Sequence, residues 1–223
     1  KEEKVSVSYR LGVLLAYDSP SAREVFQTMK RKLLDYQQRT QEIIDILLKE
    51  AHGDVSLLPD QARKLAPQVN LIVVISTPAL QAAMIETENI PIVFSSVANP
   101  YIIKAGRTAV DHNPRVTGVC STAPIKQVIE LIYQVKPEIR RIGTIWTPSE
   151  INSEYYLELM KEAASEFGLE VIVESISAAQ DIVQAVQALV RQQVEVLFPV
   201  SDNTINANFD LIEQLAEANK IPL

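Results

Sequence analysis

The sequence predicts an α/β protein built from two doubly wound, parallel-sheet lobes. Short apolar runs rich in β-branched residues, typical of buried strands, alternate with longer segments that have the apolar spacing of amphipathic helices. Such alternation produces parallel sheets covered by helices on both faces. Residues 99–115 interrupt it with two prolines and a glycine. We therefore expect a first lobe over residues 1–121, a second over residues 122–223, and a ligand cleft between the lobes.

The individual elements follow from the same patterns. Glu42–Lys49 is assigned to a strand despite its leucines, because His52-Gly53-Asp54 ends it. The last residues, Ile221-Pro222-Leu223, resemble the start of another strand, so we expect a C-terminally incomplete chain. The other predicted strands are 11–16, 71–75, 90–94, 116–120, 141–146, 169–173 and 194–200, and the predicted helices are 22–36, 79–87, 125–135, 153–167, 181–191 and 205–219.

The composition argues against several kinds of partner. The chain has 21 Lys and Arg against 28 Asp and Glu, a net charge of −7, and no basic stripe. Nucleic acid and anionic lipid are not expected as partners, because both are bound through clustered cations. No apolar run approaches the roughly 20 residues of a membrane span. Lys1-Glu2-Glu3-Lys4 lacks the apolar core of a signal peptide, which leaves either a cytosolic protein or one whose targeting segment lies outside this sequence.

Motifs for cofactors and catalysis are missing from the sequence. Neither Gly-x-Gly-x-x-Gly nor Gly-x-x-x-x-Gly-Lys occurs. The single cysteine, Cys120, excludes an intrachain disulfide and a multi-cysteine metal site, and we expect it to be a small buried residue. His52 and His112 lie in polar, loop-like stretches and are expected at the surface. We therefore expect no cofactor, no metal site and no catalytic residue.

Polar loops follow the predicted strands at their carboxyl ends, which is where parallel α/β sheets bind ligands. These loops contain hydroxyl, amide or carboxylate side chains and no Lys or Arg. Taken together, they favour a site for a small polar ligand. The loops are residues 17–20, 76–78, 95–100, 147–153 and 201–204.

Each loop taken singly also has a purely structural interpretation, because the same residue types are ordinary helix N-caps. Thr77 before Pro78 fits an N-cap followed by proline at the first helical position. Other positions have the spacing of a capping box. These are the pairs Thr147 and Glu150, Ser21 and Glu24, and Ser177 and Gln180.

A zwitterionic ligand would need hydrogen-bond donors for its carboxylate and an anion for its ammonium group. Backbone N–H groups at the helix starts are suited to the first task. Asp18 and Asp202 are the candidates for the second. Trp146, at the end of a predicted strand, is equally suited to the core and to contact with a ligand.

An ordered set of short motifs runs along essentially the whole chain. They are Lys49–Asp54, Asn70–Ala82, Ile90–Phe94 with Asn99-Pro100, Val116–Val119, Arg141–Gly143, Pro148–Ser153 and Pro199–Thr204. In this order and spacing the chain resembles the ABC-transporter substrate-binding proteins of the tryptophan/tyrosine-binding type. The resemblance rests on the ordered set of motifs, because no single motif is specific to the family.

The resemblance implies a type I periplasmic-binding fold and a receptor without catalysis. Such a receptor would deliver a small ligand to an ABC permease, and the ligand would be an amino acid, first of all an aromatic one. It also implies export by a signal peptide, a periplasmic or lipid-anchored (lipoprotein) location, and further chain beyond Leu223. Ala98-Asn99-Pro100 departs from the family's usual Thr-Asp-Pro-like loop, which leaves the ligand open. The loops and the resemblance together nominate Tyr17, Asp18, Ser76, Thr77, Ser96, Asn99, Ser149, Asn152, Ser153, Asp202, Asn203 and Thr204 as ligand-binding residues.

Two other functions would use the same predicted fold. A ligand-sensing domain of a receptor or regulator would be attached to a DNA-binding or signalling module. A two-domain, transferase-like enzyme would act in the cleft and would need an acid/base pair, for which Asp18 and Asp202 are the candidates.

Overall fold

The structure, a computed structural model, describes residues 7–223, with side chains from residue 9 onward. The chain divides into two compact units, of which the first ends at Thr122 and the second spans Ala123–Leu223. Each unit contains one parallel sheet with helices packed against it. The predicted α/β class and the parallel sheets are confirmed. Lys1-Glu2-Glu3-Lys4, which lacks the apolar core of a signal peptide, lies outside the described residues.

The first unit has a five-stranded sheet with the strand order β2-β1-β3-β4-β5, and every neighbouring pair is parallel. Its strands are β1 Val7–Leu15, β2 Ile43–Glu50, β3 Leu71–Ile75, β4 Ile92–Val97 and β5 Val116–Cys120. Its α-helices are α1 Pro20–Thr40, α2 Leu58–Leu65 and α3 Thr77–Glu86.

Side-chain alternation along β1 and β3 builds a separate core on each face of this sheet. Val13 and Ile75 point to one face, where they pack with Phe26 of α1. Leu14 and Val74 point to the other face and pack with α2 and α3. The helices that follow β1 and β3 therefore cover opposite faces of the sheet.

Helix α2 was not predicted, because it has only eight residues and buries only Leu58, Ala62 and Leu65. Its contact with the sheet depends on Gly12 of β1. A Cβ added to Gly12 would lie 2.8 Å from the Leu65 side chain, so only glycine lets the helix approach this closely.

The second unit has a three-stranded parallel sheet with the order β7-β6-β8. Ile145, Val186 and Ile212 belong to its core, all essentially inaccessible to solvent. The strands are β6 Arg141–Trp146, β7 Glu170–Ser175 and β8 Val196–Leu197, and the helices are α4 Ile125–Val135, α5 Ile151–Glu166, α6 Ile182–Arg191, α7 Asn203–Ala207 and α8 Phe209–Ala218. Within residues 7–223, no helix is both long and apolar enough to cross a membrane.

The carboxyl half of this unit differs from the prediction. The strand expected over 194–200 is limited to β8, although the N–H groups of Phe198 and Val200 still donate to Gly143 O at 2.8 Å and to Ile145 O at 3.3 Å. The helix expected over 205–219 is interrupted at Asn208, whose side-chain amide donates to Thr204 O. Near the last residues, the N–H of Leu197 donates to Pro222 O at 2.8 Å.

Two predicted N-caps in the first unit are shifted along the chain. Ser19 caps α1 by accepting a hydrogen bond from Ala22 N, so Ser21 lies inside the helix and does not form a capping box. Ser76 caps α3, and Thr77 is the first helical residue. In both cases proline occupies one of the first two helical positions.

The two capping boxes expected in the second unit are also absent. Thr147 contacts Glu150 only through its backbone carbonyl, and the Glu150 side chain turns to another part of the unit. At the other position the carboxylate of Asp181 reaches back and accepts hydrogen bonds from the backbone N–H groups of Ser177 and Ala178. Three-residue spacing alone did not identify the capping side chain, because several neighbouring residues could serve.

Candidate functional site

The sheet of the first unit has a topological switch point between β1 and β3. From β1 the chain continues to β2 on one side, whereas β3, β4 and β5 lie on the other. A crevice forms at the carboxyl ends of two such strands, because their following helices leave on opposite faces. The loops at this position start at Ala16 and at Ser76.

The loop after β1 is held by its own contacts. Tyr17 is buried and lies 3.7 Å from the position that a Cβ on Gly53 would take. Asp18 is exposed, and its carboxylate forms a bidentate ion pair with Arg23. This hydrogen-bonded pair holds the pKa of Asp18 below its usual value. A ligand could therefore bind the Asp18 carboxylate only by competing with Arg23.

Two serines have a positive φ: Ser76 directly follows β3, and Ser96 is the last residue but one of β4, which extends to Val97. Ser76 has φ 115° and ψ 159°, and Ser96 has φ 56°. A non-glycine residue in the first of these regions is strained by about 1–3 kcal/mol, and such strain is concentrated at ligand sites. Thr77 Oγ1 accepts a hydrogen bond from Ala98 N and joins the two loops, while Asn99 Oδ1 accepts one from Tyr101 N.

Replacing Ser76 by glycine is expected to raise the free energy of unfolding by about 1 kcal/mol. Relief of the strained backbone outweighs both the greater flexibility of unfolded glycine and the small loss of capping. Urea denaturation measures the change. Ser21→Gly, inside α1, is the control and is expected to lower the stability. Equal losses for both variants would show that Ser76 is not strained.

The second unit has its switch point between β6 and β8, since β7 lies on the opposite side of β6. The loop after β6 leads into α5, and the loop after β8 leads into α7. Six of the candidate residues lie in these loops or at the helix starts that follow them. They are Ser149, Asn152, Ser153, Asp202, Asn203 and Thr204.

A fully buried carboxylate, Glu150, joins the two loops of this unit. Its Oε2 accepts hydrogen bonds from Asn203 N at 2.9 Å and Asn203 Nδ2 at 2.5 Å. Its Oε1 accepts hydrogen bonds from Thr204 N at 2.9 Å and Thr204 Oγ1 at 2.7 Å. This role is not apparent in the sequence, because the partners are more than 50 residues apart and no local motif relates them.

Asp202 forms a second connection between the same loops and is 1% exposed. Its Oδ1 accepts a hydrogen bond from Ile205 N, and its Oδ2 accepts one from Ser153 Oγ, both at 2.7 Å. Ser153 Oγ in turn accepts one from Thr147 N. Burial, and secondarily the charge of Glu150, raise the pKa of Asp202 to about 7, although its hydrogen bonds oppose this. In this arrangement Asp202 and Ser153 hold the loops together.

Asn152, in the first turn of α5, is 5% exposed, and its Oδ1 has no hydrogen-bond partner among residues 7–223. A buried amide oxygen without a donor is destabilising, so it calls for a partner that the protein itself does not supply. Ser149 is exposed and Trp146 is half-buried at the end of β6. Asn152 is thus the candidate residue in this unit whose side chain retains an unused acceptor.

Two of the expectations for the remaining reactive residues hold, and one is wrong. His52 and His112 are exposed, as expected. Cys120 is not buried but is an exposed free thiol at the end of β5. This strand lies at the edge of its sheet, where Cys120, Phe94 and Tyr101 help to line a cavity of about 160 Å³.

Two parallel α/β units, each with polar residues collected at the switch point of its sheet, define a solute-binding protein of the periplasmic-binding class. The model of the ABC transporter substrate binding protein family matches residues 10–223, and the chain belongs to this family. The family consists of binding proteins and not of enzymes, in agreement with the interpretation of the sequence.

Relatives support the assignment over most of the chain. A tyrosine-binding protein from Clostridioides difficile is 28% identical over 96% of this chain, which spans 62% of that protein's length. The crystal structure of an ABC domain in complex with L-Trp from Streptococcus pneumoniae has a TM-score of 0.87 and 25% identity, and a conserved domain protein from Vibrio cholerae has 0.84 and 25%. Both matches cover 96% of this chain and 72% of the solved chain.

Proposed function

We propose that this protein is the solute-binding component of an ABC importer and binds an amino acid, first of all an aromatic one. Similarity to a tyrosine-binding protein and to a structure that contains L-Trp supports this ligand class. The protein would act outside the cytoplasm and would deliver the ligand to a membrane permease.

The observation that carries the proposal is the unused acceptor of Asn152. An amino acid has an ammonium group with three donors, and one of them would satisfy Asn152 Oδ1. Asp18 and Asp202, the two carboxylates nominated from the sequence, already have partners in the structure. We therefore assign the ammonium contact to Asn152, and the carboxylate contact to the loops at Ser76, Thr77 and Ser96.

Calorimetric titration with the twenty amino acids, beginning with tryptophan and tyrosine, tests the proposed ligand class. Binding is expected to raise the melting temperature in proportion to the logarithm of ligand concentration once the site is saturated. If no amino acid binds or shifts the melting temperature, the proposed function is wrong.

Replacing Asn152 by leucine is expected to weaken amino-acid binding at least about tenfold without destabilising the protein, because leucine is similar in size and removes an unsatisfied buried oxygen. Calorimetry and urea denaturation measure the two effects. Thr144→Val is the matched control, since Thr144 Oγ1 is also buried without a partner within residues 7–223 but lies in the middle of β6. This control should gain stability and keep its affinity. Unchanged affinity in Asn152→Leu would show that Asn152 does not contact the ligand.

A further inference from the structure

Glu150 is distinguished from the other carboxylates by how completely its hydrogen-bonding capacity is used. Each of its two oxygens accepts two hydrogen bonds, and these come from the backbone and side chains of Asn203 and Thr204. An ionised carboxylate accepts about four hydrogen bonds, so this set is close to saturation. A carboxylate buried in this way is stable only while the donors remain in place.

The hydrogen bonds of Glu150 join the starts of two different helices. Glu150 directly precedes α5, whose first turn contains Asn152 and Ser153, whereas its partners begin α7. The Asp202 side chain crosses between the same two segments through Ser153. Two independent connections therefore set the distance between the loop after β6 and the loop after β8.

We propose that Glu150 is the positioning residue of the ligand site in the second unit. It does not contact the ligand, but it fixes the loops that carry Asn152 and Asp202. This role rests on the proposed function, because those loops form a site only if the protein binds a solute there. The expected effect is local: loss of Glu150 should make the first residues of α7 more mobile before it affects the sheet.

Glu150→Gln tests the proposal, because the new side-chain NH₂ group would face the donors of either Asn203 or Thr204. The donors that it faces would lose their acceptor. We expect the affinity for L-tryptophan or L-tyrosine to fall at least about tenfold, as for an unpaired buried N–H group. Amide hydrogen exchange of Asn203 and Thr204, measured without ligand, should accelerate, while the amides of β6 keep their protection. A structural defect spread over the unit would instead accelerate both.

Two further variants separate the possible outcomes. Glu154→Gln removes an exposed carboxylate from the first turn of the same helix and is expected to change neither affinity nor exchange. Glu150→Asp keeps the charge but is one methylene shorter, so affinity and protection should both be intermediate; this variant decides the question if Glu150→Gln does not fold.

Unchanged affinity in Glu150→Gln would overturn the inference, and so would weaker binding with unchanged exchange at Asn203 and Thr204, which would indicate direct contact with the ligand. If the unmodified protein binds no amino acid, the proposed function fails. The exchange measurement needs no ligand, so unchanged protection would still overturn the positioning role on its own evidence.

Discussion

Replacing Asp202 by asparagine is expected to stabilise the protein near pH 7 and to leave its stability near pH 4 almost unchanged. The Asp202 carboxyl is buried beside Glu150, and its pKa is raised from 3.8 to about 7 in the folded state. Below about pH 4 the acid is protonated in both the folded and unfolded states. Between about pH 4 and 7 the unfolded chain has lost this proton and the folded chain retains it, so the folded state binds more protons.

Under that condition the free energy of unfolding decreases as the pH rises, by up to about 1.4 kcal/mol per unit from this group. Over the whole interval the contribution approaches about 4 kcal/mol as an upper bound, and it becomes constant above the folded-state pKa. Asparagine has no proton to lose. Its oxygen can accept from Ile205 N and its amide can donate to Ser153 Oγ, so the connections through residue 202 are retained.

Urea denaturation at several pH values between 4 and 8 measures the difference between the variant and the unmodified protein, in which the contributions of other groups cancel. Asp18→Asn is a control of opposite sign. The ion pair with Arg23 lowers the pKa of Asp18, so its stabilising contribution is present above the unfolded-state pKa and is lost as the pH falls. A difference for Asp202→Asn that is constant from pH 4 to 7 would contradict the raised pKa.

The elements that could be predicted to the residue are those with clear local boundaries. β3 begins after Asn70 and ends before Ser76-Thr77-Pro78, and the structure places it over Leu71–Ile75, as expected. α4 was also predicted with its observed bounds, because its apolar spacing ends at Lys136-Pro137. In both cases residues adjacent in sequence determine where the element stops.

The polar network of the second unit could not be predicted, because it depends on residues brought together by the sheet. Ser153 and Asp202 were nominated as ligand residues from their loops, but their hydrogen bonds are formed with each other and with the backbone. Glu150 was interpreted as a local cap, although its partners follow another strand. The sequence indicates that these residues lie at one edge of the sheet, but it does not indicate which of them bind each other there.

The loops of the first unit depend in a similar way on a close contact within the sheet, between β4 and β5. Gly118 of β5 lies opposite Phe94 of β4, and a Cβ added to it would lie 2.2 Å from the Phe94 carbonyl oxygen. Beyond this contact, Ser121 N donates to Val97 O and Thr122 Oγ1 donates to Ala98 O. The end of β5 therefore supports the segment that contains Ser96 and Asn99.

Gly118→Val is expected to lower the free energy of unfolding by at least about 2 kcal/mol, because the new side chain meets backbone that cannot move without breaking strand pairing. β5 pairs only with β4 in this sheet of the described chain, so no second partner holds it in register. Amino-acid affinity should fall as well, since the segment that contains Ser96 and Asn99 loses its support. Urea denaturation and calorimetry, both below the melting temperature of the variant, measure the two effects.

Thr117→Val provides the matched control for this prediction. Thr117 is the exposed neighbour of Gly118 in the same edge strand, and valine is at least as favourable as threonine in a strand. The control should therefore keep both stability and affinity. If Gly118→Val behaves like Thr117→Val, β5 does not pack against β4 as closely as the structure shows. If Gly118→Val loses stability but keeps its affinity, ligand binding does not depend on the support that β5 gives to the segment with Ser96 and Asn99. The ligand contacts of the first unit must then be assigned to the loops after β1 and β3 alone.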